Sequence, residues 1–179
     1  AMNRRIVLAY DGSINADWVA RYAMQMAAAL PSRQLLLLHI LDGSCTPEYV
    51  AAKFAAITAE CSQRNITCQH RLHELSGDVL TSLLRAIDPG EQSTCLCGTR
   101  IAAKGRGFLA GTVAERLLRC RQFNVLAIRV VSPGMFDYFS PETRRAMTVH
   151  LSFSIPATLI LPVMLVTGTK GGETTMAKS

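Results

Sequence analysis

The feature that most constrains the fold of this chain is a fivefold alternation of short apolar runs with amphipathic helical segments. Each run is too short for a helix and is bounded by turn residues, which is typical of strands in a buried sheet. The third run, 66–72, alternates only loosely and predicts a more exposed strand. The five runs cover residues 6–10, 35–41, 66–72, 94–97 and 125–130. Regular alternation of this kind predicts an α/β fold, with five mostly parallel strands in one sheet and helices on both faces.

The alternation occupies only part of the 179 residues. It ends near residue 131, and the sequence Ser-Pro-Gly at 132–134 marks a boundary. We therefore predict an α/β domain over residues 1–131 and a C-terminal extension over 132–179. Apolar residues make up 49% of the chain and charged residues 18%, which excludes the disordered, collagen-like and disulfide-scaffold classes.

The C-terminal extension has an apolar pattern of its own. Ser140-Pro141-Glu142 predicts a short helix through Met147, and alternating apolar residues over 149–155 predict a strand. Residues 151–167 carry no charge, but they fall short of the roughly 20 residues that span a bilayer, and two prolines interrupt them. We expect extra strands that cap the sheet edge or cross a dimer, with a frayed end. Membrane association is the alternative.

Charge and cysteine usage narrow the class of protein further. The net charge of +6, from 19 basic against 13 acidic residues, favours a mildly basic surface over a nucleic-acid interface. The six cysteines include no CxxC pair, and their spacing offers no metal site. Most of them lie in apolar stretches, which is typical of reduced thiols in the cytoplasm. The first apolar stretch is also too short for a signal peptide.

A glycine-rich basic loop after the fourth run carries the strongest chemical signal. It reads Gly98-Thr99-Arg100-Ile101, then nine residues, then Gly111-Thr112 at the start of a helix. Glycines allow a phosphate to approach the backbone, and the free N–H groups of a helix N-terminus favour an anion. The alternative is a flexible loop that feeds a helix, with Thr112 as its cap.

Three segments together resemble the universal stress protein family. They are Ile6-Val7-Leu8-Ala9-Tyr10-Asp11-Gly12-Ser13, then Leu37-Leu38-His39-Ile40, and then Cys97-Gly98-Thr99-Arg100 with Gly111-Thr112-Val113-Ala114-Glu115 and Val125-Leu126-Ala127-Ile128. Their order and spacing match the family over residues 3–131. The resemblance implies an adenine-nucleotide α-hydrolase-like fold, a homodimer that often pairs its last strands, and, in one branch of the family, ATP binding.

The resemblance also implies the residues of a nucleotide site. Ala9, Tyr10, Asp11 and Ile40 would meet the adenosine, Cys97 would line the base, and Gly98, Gly111, Thr112, Val113 and Ala114 would hold the ribose and phosphates. Arg100, with Lys104 and Arg106, would offset the triphosphate charge, and Asp11 would position the nucleotide or a Mg or Mn ion. Ile101 stands where the family has its second glycine, so a chain without any nucleotide is the alternative.

The predicted function is therefore a stress-response or signalling module that binds ATP or a related adenine nucleotide. The alternatives are a dimeric interaction protein without nucleotide and a regulatory domain associated with a membrane protein. No nucleophile is paired with a base in any recognised motif, so we predict no enzyme and leave slow ATP hydrolysis open. His39 lies within a buried run, which is typical of a core histidine whose nitrogens are both hydrogen-bonded.

Overall fold

The computed structural model describes residues 4–88, 92–98, 113–120, 122–130, 147–151, 160–168 and 174–176. Strands and helices alternate through most of them. In chain order the elements are β1 Arg5–Ala9, α1 Ile14–Ala29, β2 Gln34–Leu41, α2 Pro47–Gln63, β3 Thr67–Glu74, α3 Val79–Ala86, β4 Ser93–Gly98, α4 Val113–Cys120, β5 Asn124–Val130, β6 Met147–Leu151, β7 Ile160–Gly168 and β8 Thr174–Met176.

The first five strands form a parallel sheet in the order β3-β2-β1-β4-β5, which confirms the predicted α/β fold. Helices α1 and α2 pack on one face, around buried side chains such as Leu8, Leu37 and Phe54. Helices α3 and α4 pack on the other face, around Val7 and Leu36. Because β1 is paired with both β2 and β4, the strand order reverses there, and such a reversal opens a crevice at the carboxyl ends of the strands.

Local sequence signals fix where the helices begin. Ser13, Thr46 and Asp78 cap α1, α2 and α3, each accepting a hydrogen bond from a backbone N–H three residues later. Pro47 occupies the first turn of α2, where its missing N–H costs nothing. The third strand is exposed along most of its length, as the sequence predicts, because β3 is the edge of the sheet.

The C-terminal extension continues the same sheet past β5. Strand β7 pairs antiparallel with β5 over 163–168, and both β6 and β8 pair with β7 on its other side. The strand predicted over 149–155 begins earlier, at Met147, and its described part ends at Leu151. Met147 therefore belongs to a strand and not to the predicted helix, whose remaining residues lie outside the described part of the chain. No helix within the described ranges has the length and apolarity to cross a membrane.

Candidate functional site

A cavity of about 300 Å³ opens at the carboxyl ends of β1, β2 and β4, beneath α3 and α4. It lies at the reversal of strand order, where open parallel sheets bind their ligands. Its lining consists of Ala9, Tyr10, Asp11, Leu38, His39, Ile40, Asp42, Val79, Leu83, Cys97, Gly98, Val113, Ala114 and Leu117. Apolar side chains dominate this set, and the carboxylates come from the two loops that follow β1 and β2.

The cavity brings together eight of the eleven site residues that the sequence suggested. They are Ala9, Tyr10, Asp11, Ile40, Cys97, Gly98, Val113 and Ala114. The other three, Arg100, Gly111 and Thr112, lie outside the described residues, as do Ile101, Lys104 and Arg106. Sequence reasoning missed the contribution of α3, although Val79 and Leu83 stand four residues apart on one apolar helix face.

Two hydrogen bonds tie the end of β1 to β2. His39 Nδ1 lies 2.6 Å from the carbonyl oxygen of Tyr10, and because that oxygen can only accept, Nδ1 is the protonated nitrogen that donates. The Tyr10 N–H in turn donates to the carbonyl of Leu38 at 2.8 Å. His39 is buried as predicted, but its Nε2 has no hydrogen-bond partner among the residues described, so the expectation of a fully bonded histidine is wrong.

The side chain of Tyr10 anchors the site to the layer of α1 and α2. Its ring meets Phe54 edge-on, with centroids 5.4 Å apart, and its hydroxyl donates to Asp17 Oδ1 at 2.6 Å. Burial, reinforced by the bond to the Asp17 carboxylate, raises the pKa of Tyr10 far above its ordinary value. Lys53 completes the group with a 2.9 Å ion pair to Asp17 Oδ2. Tyr10 therefore holds its strand end in place and stays neutral.

Two aspartates give the cavity a negative rim. Asp11 Oδ1 accepts the backbone N–H of Ser13 at 2.9 Å, which shapes the turn that leads into α1. Asp42 Oδ1 accepts in the same way from Ser44. Burial by itself would raise the pKa of Asp42, but the hydrogen bonds from the Ser44 hydroxyl and N–H lower it. Carboxylates here suit hydroxyl or amine groups of a ligand, or a cation, rather than a phosphate.

The cysteine in the cavity wall is an apolar contact surface. Burial raises the pKa of Cys97 to about 12, and the nearby charge of Asp11 adds to the shift. A thiol with that pKa stays protonated at neutral pH and is a poor nucleophile. Cys97 therefore offers a polarisable surface to a ligand and no reactive group.

Gly98, the last residue of β4, lies close to the side chain of Asn15. A Cβ added there would stand 2.6 Å from Asn15 Nδ2, which donates to the carbonyl of Ile128 at 3.1 Å. The absence of a side chain at position 98 thus permits a link between α1 and the end of β5. Packing alone explains this glycine, whatever ligand the following loop meets.

An ion pair joins the two helices that cover the cavity. Asp78 caps α3 by accepting the Thr81 N–H at 2.7 Å, and its other oxygen pairs with Arg116 of α4 at 2.9 Å. The cap, the Thr81 hydroxyl and the guanidinium together lower the pKa of Asp78 to about 2. Within the described residues, no three His, Cys, Asp or Glu side chains cluster closely enough to hold a metal ion.

The fold is an α/β domain of the doubly wound type, with a cavity at the point where strand order reverses. The sequence pattern of the universal stress protein family matches residues 2–129. Since that match covers most of the chain, the chain belongs to this family.

Solved structures of family members resemble the chain in their backbone. A universal stress protein from Archaeoglobus fulgidus has 15% sequence identity and a TM-score of 0.53, with 72% of this chain and 99% of that one covered. A protein of the family from Burkholderia pseudomallei has 24% identity and a TM-score of 0.49, with 68% and 93% covered. None of the curated proteins compared with the chain matches it significantly. The archaeal likeness supports the fold.

Proposed function

We propose that this universal stress protein binds ATP or a related adenine nucleotide and acts as a stress-response or signalling module. The observation that carries the proposal is the convergence of eight separate residues, predicted as nucleotide contacts, on one cavity. They come from β1, β2, β4 and the start of α4, which are far apart in sequence. The chemistry of the cavity supports the base and the sugar as its occupants.

The adenine ring suits the apolar part of the lining. Leu38, Ile40 and Leu83 offer flat aliphatic contacts, and a volume of about 300 Å³ is at the small end for ligand sites. That space suits a nucleoside better than a whole nucleoside triphosphate. Asp11 lines the cavity, and in this proposal its carboxylate accepts the ribose hydroxyls or holds a Mg or Mn ion beside the phosphates.

The sequence between β4 and α4 offers groups that suit the phosphates. It contains Arg100, Lys104 and Arg106, and Gly111 and Thr112 directly precede α4. Basic side chains and the N–H groups at the start of a helix both favour an anion.

A variant that fills the cavity tests the proposal. Val79→Trp puts an indole at the mouth of the cavity, where Val79 is half-buried. We expect ATP affinity, measured by calorimetric titration, to fall about tenfold or more, which corresponds to ~1.4 kcal/mol. Leu72→Trp is the control, because Leu72 is 36% exposed on β3 and does not line the cavity. No binding to the parent protein at millimolar ATP, or equal binding by both variants, would reject the site.

A dimeric interaction protein without nucleotide is the second candidate function, and Ile101 is the observation that favours it. The family motif has glycine at that position, and a β-branched side chain there opposes close approach of a ligand. A homodimer is proposed in either case, but β5 already pairs with β7 of its own chain. Light scattering of the purified protein, with and without ATP, would show whether it dimerises and whether nucleotide is needed.

We propose a cytoplasmic protein without catalytic activity. All six cysteines are free thiols, which suits a reducing compartment. A regulatory domain associated with a membrane protein is the third candidate, suggested by the uncharged residues 151–167 alone. Membrane fractionation of cells that express the chain would separate the second and third candidates, since only the third requires the membrane fraction.

A further inference from the structure

Two cysteines on the far side of the sheet from α3 and α4 lie outside the cavity. Cys61 is in the last turn of α2, and Cys68 is the second residue of β3. Cys61 is fully buried, whereas Cys68 is partly exposed at the edge strand. Nucleotide binding in the cavity makes no use of either thiol.

A tight turn fixes the two cysteines relative to each other. Asn65 adopts a left-handed conformation, with φ of 55°, just past the end of α2. The N–H of Ile66 donates to the carbonyl of Cys61 at 2.9 Å, and the N–H of Asn65 donates to that of Ser62 at 3.2 Å. This pair of bonds is the Schellman ending of a helix, which reverses the chain in a defined way. Strand β3 therefore starts back beside the last turns of α2.

Arg33 clamps the same turn from the neighbouring loop. Its Nε donates to the carbonyl of Asn65 at 2.8 Å, and its own carbonyl accepts the N–H of Thr67 at 2.8 Å. A second guanidinium nitrogen donates to the carbonyl of Arg64. Arg33 thus makes three hydrogen bonds to the turn, two through its side chain and one through its backbone. These bonds limit how far Cys61 and Cys68 can move apart.

The sulfur of Cys68 accepts a hydrogen bond from a side chain of α2, because Thr58 Oγ1 donates to Cys68 Sγ at 3.7 Å. Thr58 and Cys61 are three residues apart and so lie on one face of the helix. Cys61 therefore lies on the side of α2 that faces Cys68.

These contacts divide the roles of the two thiols. The neighbouring Cys61 thiol, aided by the bond from Thr58, lowers the pKa of Cys68 even though burial opposes the shift. The interaction with Cys68, together with burial, raises the pKa of Cys61. Burial likewise raises the pKa of Cys95 and Cys97. Cys68 thus combines partial exposure with a lowered pKa, whereas Cys61 is fully buried and has a raised pKa.

We propose that Cys61 and Cys68 are a peroxide-responsive dithiol that forms a reversible disulfide, with Cys68 attacking the peroxide and Cys61 resolving the product. In the first step, the Cys68 thiolate attacks one oxygen of hydrogen peroxide. The S–O bond forms, the O–O bond breaks, and hydroxide leaves with the electron pair, giving Cys68 sulfenic acid. In the second step, the Cys61 sulfur attacks Cys68 Sγ, the S–O bond breaks, and the Cys61 proton leaves with the hydroxyl as water. One peroxide is reduced for each dithiol oxidised.

Peptide mapping of the full chain tests the proposal directly. Trypsin cleaves after Lys53, Arg64 and Arg71, so Cys61 and Cys68 fall into separate peptides, 54–64 and 65–71, with one cysteine each. After peroxide treatment and alkylation, we expect these two peptides as a disulfide-linked pair that separates when dithiothreitol reduces the disulfide. Failure to find the pair in the folded protein at millimolar peroxide would overturn the proposal, as would a predominant disulfide between other cysteines.

Variants separate the two roles. In Cys61→Ala, Cys68 should accumulate as sulfenic acid that dimedone traps, whereas in Cys68→Ala, Cys61 should stay unmodified. Thr58→Val removes one donor to Cys68 and should slow its oxidation about threefold to tenfold, the factor that corresponds to one lost hydrogen bond. Thr67→Val is the matched control, because the exposed Thr67 neighbours Cys68 and points to the other face of β3. Equal slowing in both threonine variants would refute the role of the donor, and the mapping of the parent protein decides the matter even if Cys61→Ala fails to fold.

Discussion

Asn15 reaches across Gly98 so closely that any side chain at position 98 would displace it. The distance from Asn15 Nδ2 to the place of a Cβ on Gly98 is 2.6 Å. The same amide donates to the carbonyl of Ile128 at 3.1 Å. The Asn15 amide thus joins α1 to β5 and lies close beside the end of β4.

The first prediction concerns this contact. Gly98→Ala should destabilise the fold by about 1–3 kcal/mol, because the new methyl group overlaps the Asn15 amide. Asn15→Ala removes the obstacle, so adding Gly98→Ala to that variant should cost much less. Urea unfolding of the two single variants and the double variant measures the coupling. Strictly additive effects would show that the two residues do not constrain each other.

The second prediction concerns the Tyr10 hydroxyl. Tyr10→Phe should lower the free energy of unfolding by about 2 kcal/mol, since a hydrogen bond to a charged group is lost. The folded-state pKa of Tyr10 is raised above the ordinary 10.0, so unfolded chains release its proton first as the pH rises. The contribution of the Tyr10 hydroxyl to the free energy of unfolding is therefore fully present below pH 10 and is lost progressively above it. Thermal unfolding across this range should therefore show the parent and the variant converging, and parallel curves would contradict the assignment.

The third prediction concerns acid stability. The folded-state pKa of Asp78 is about 2, below the ordinary 3.8, so its contribution is present above pH 3.8 and is lost as the pH falls toward 2. Asp78→Asn should reduce the change in the free energy of unfolding over this pH range. Arg116→Gln should weaken the effect, because Arg116 pairs with Asp78 across two helices. Arg119→Gln is the control, since the ion pair of Arg119 lies within α4, with Glu115. Equal effects of both arginine variants would argue against the interhelical pair.

The fourth prediction concerns the strand that covers β5. Val166 of β7 lies opposite Ala127 of β5, so Val166→Pro removes a backbone donor within the paired segment. We expect a loss of about 1–3 kcal/mol in the free energy of unfolding, and self-association through the uncovered edge. Light scattering and urea unfolding measure the two effects. Val166→Ala is the control for the side chain, and a proline variant as stable and monodisperse as the alanine variant would exclude the pairing.

The fifth prediction concerns the residue that departs from the family motif. If Ile101 obstructs the ligand, Ile101→Gly should strengthen ATP binding about tenfold, by restoring backbone freedom where the family has glycine. Calorimetric titration beside the parent protein measures the gain. An unchanged affinity would mean that Ile101 is no obstacle, and the absence of nucleotide binding in both proteins would favour the interaction protein.

The sequence predicted the sheet correctly because each strand carries its own local signal. The run 35–41 is apolar throughout, as a strand covered on both faces must be, and β2 occupies Gln34–Leu41. The looser run at 66–72 became the exposed edge strand β3. Extension strands that cap the sheet edge were one of the two predicted arrangements, and β7 does extend the sheet past β5. The choice of β5 as the partner was not predicted, because pairing between distant segments has no local sequence signal.

The candidate site was predicted only in part. Asp11, Ile40 and Cys97 were named from a family resemblance and border the cavity, whereas Val79 and Leu83, on one apolar face of α3, were not named as site residues. Whether such a face packs on a sheet or closes a cavity depends on how the helix is placed. The Nε2 of His39, which has no hydrogen-bond partner among the described residues, was not predicted either. A run of apolar neighbours indicates that a residue is buried, but it does not indicate which hydrogen bonds its side chain makes.

The sequence by itself determined the strand and helix periodicity, the caps of three helices and the family, since all of these depend on residue types at fixed short spacings. The tertiary structure alone decided which side chains meet. It placed Asn15 against Gly98, the hydroxyl of Tyr10 on Asp17, and the hydroxyl of Thr58 on Cys68. The physical reason is that these contacts depend on crossovers and turns that bring separate segments within a few ångströms, and on the burial that then changes the acidity of each group.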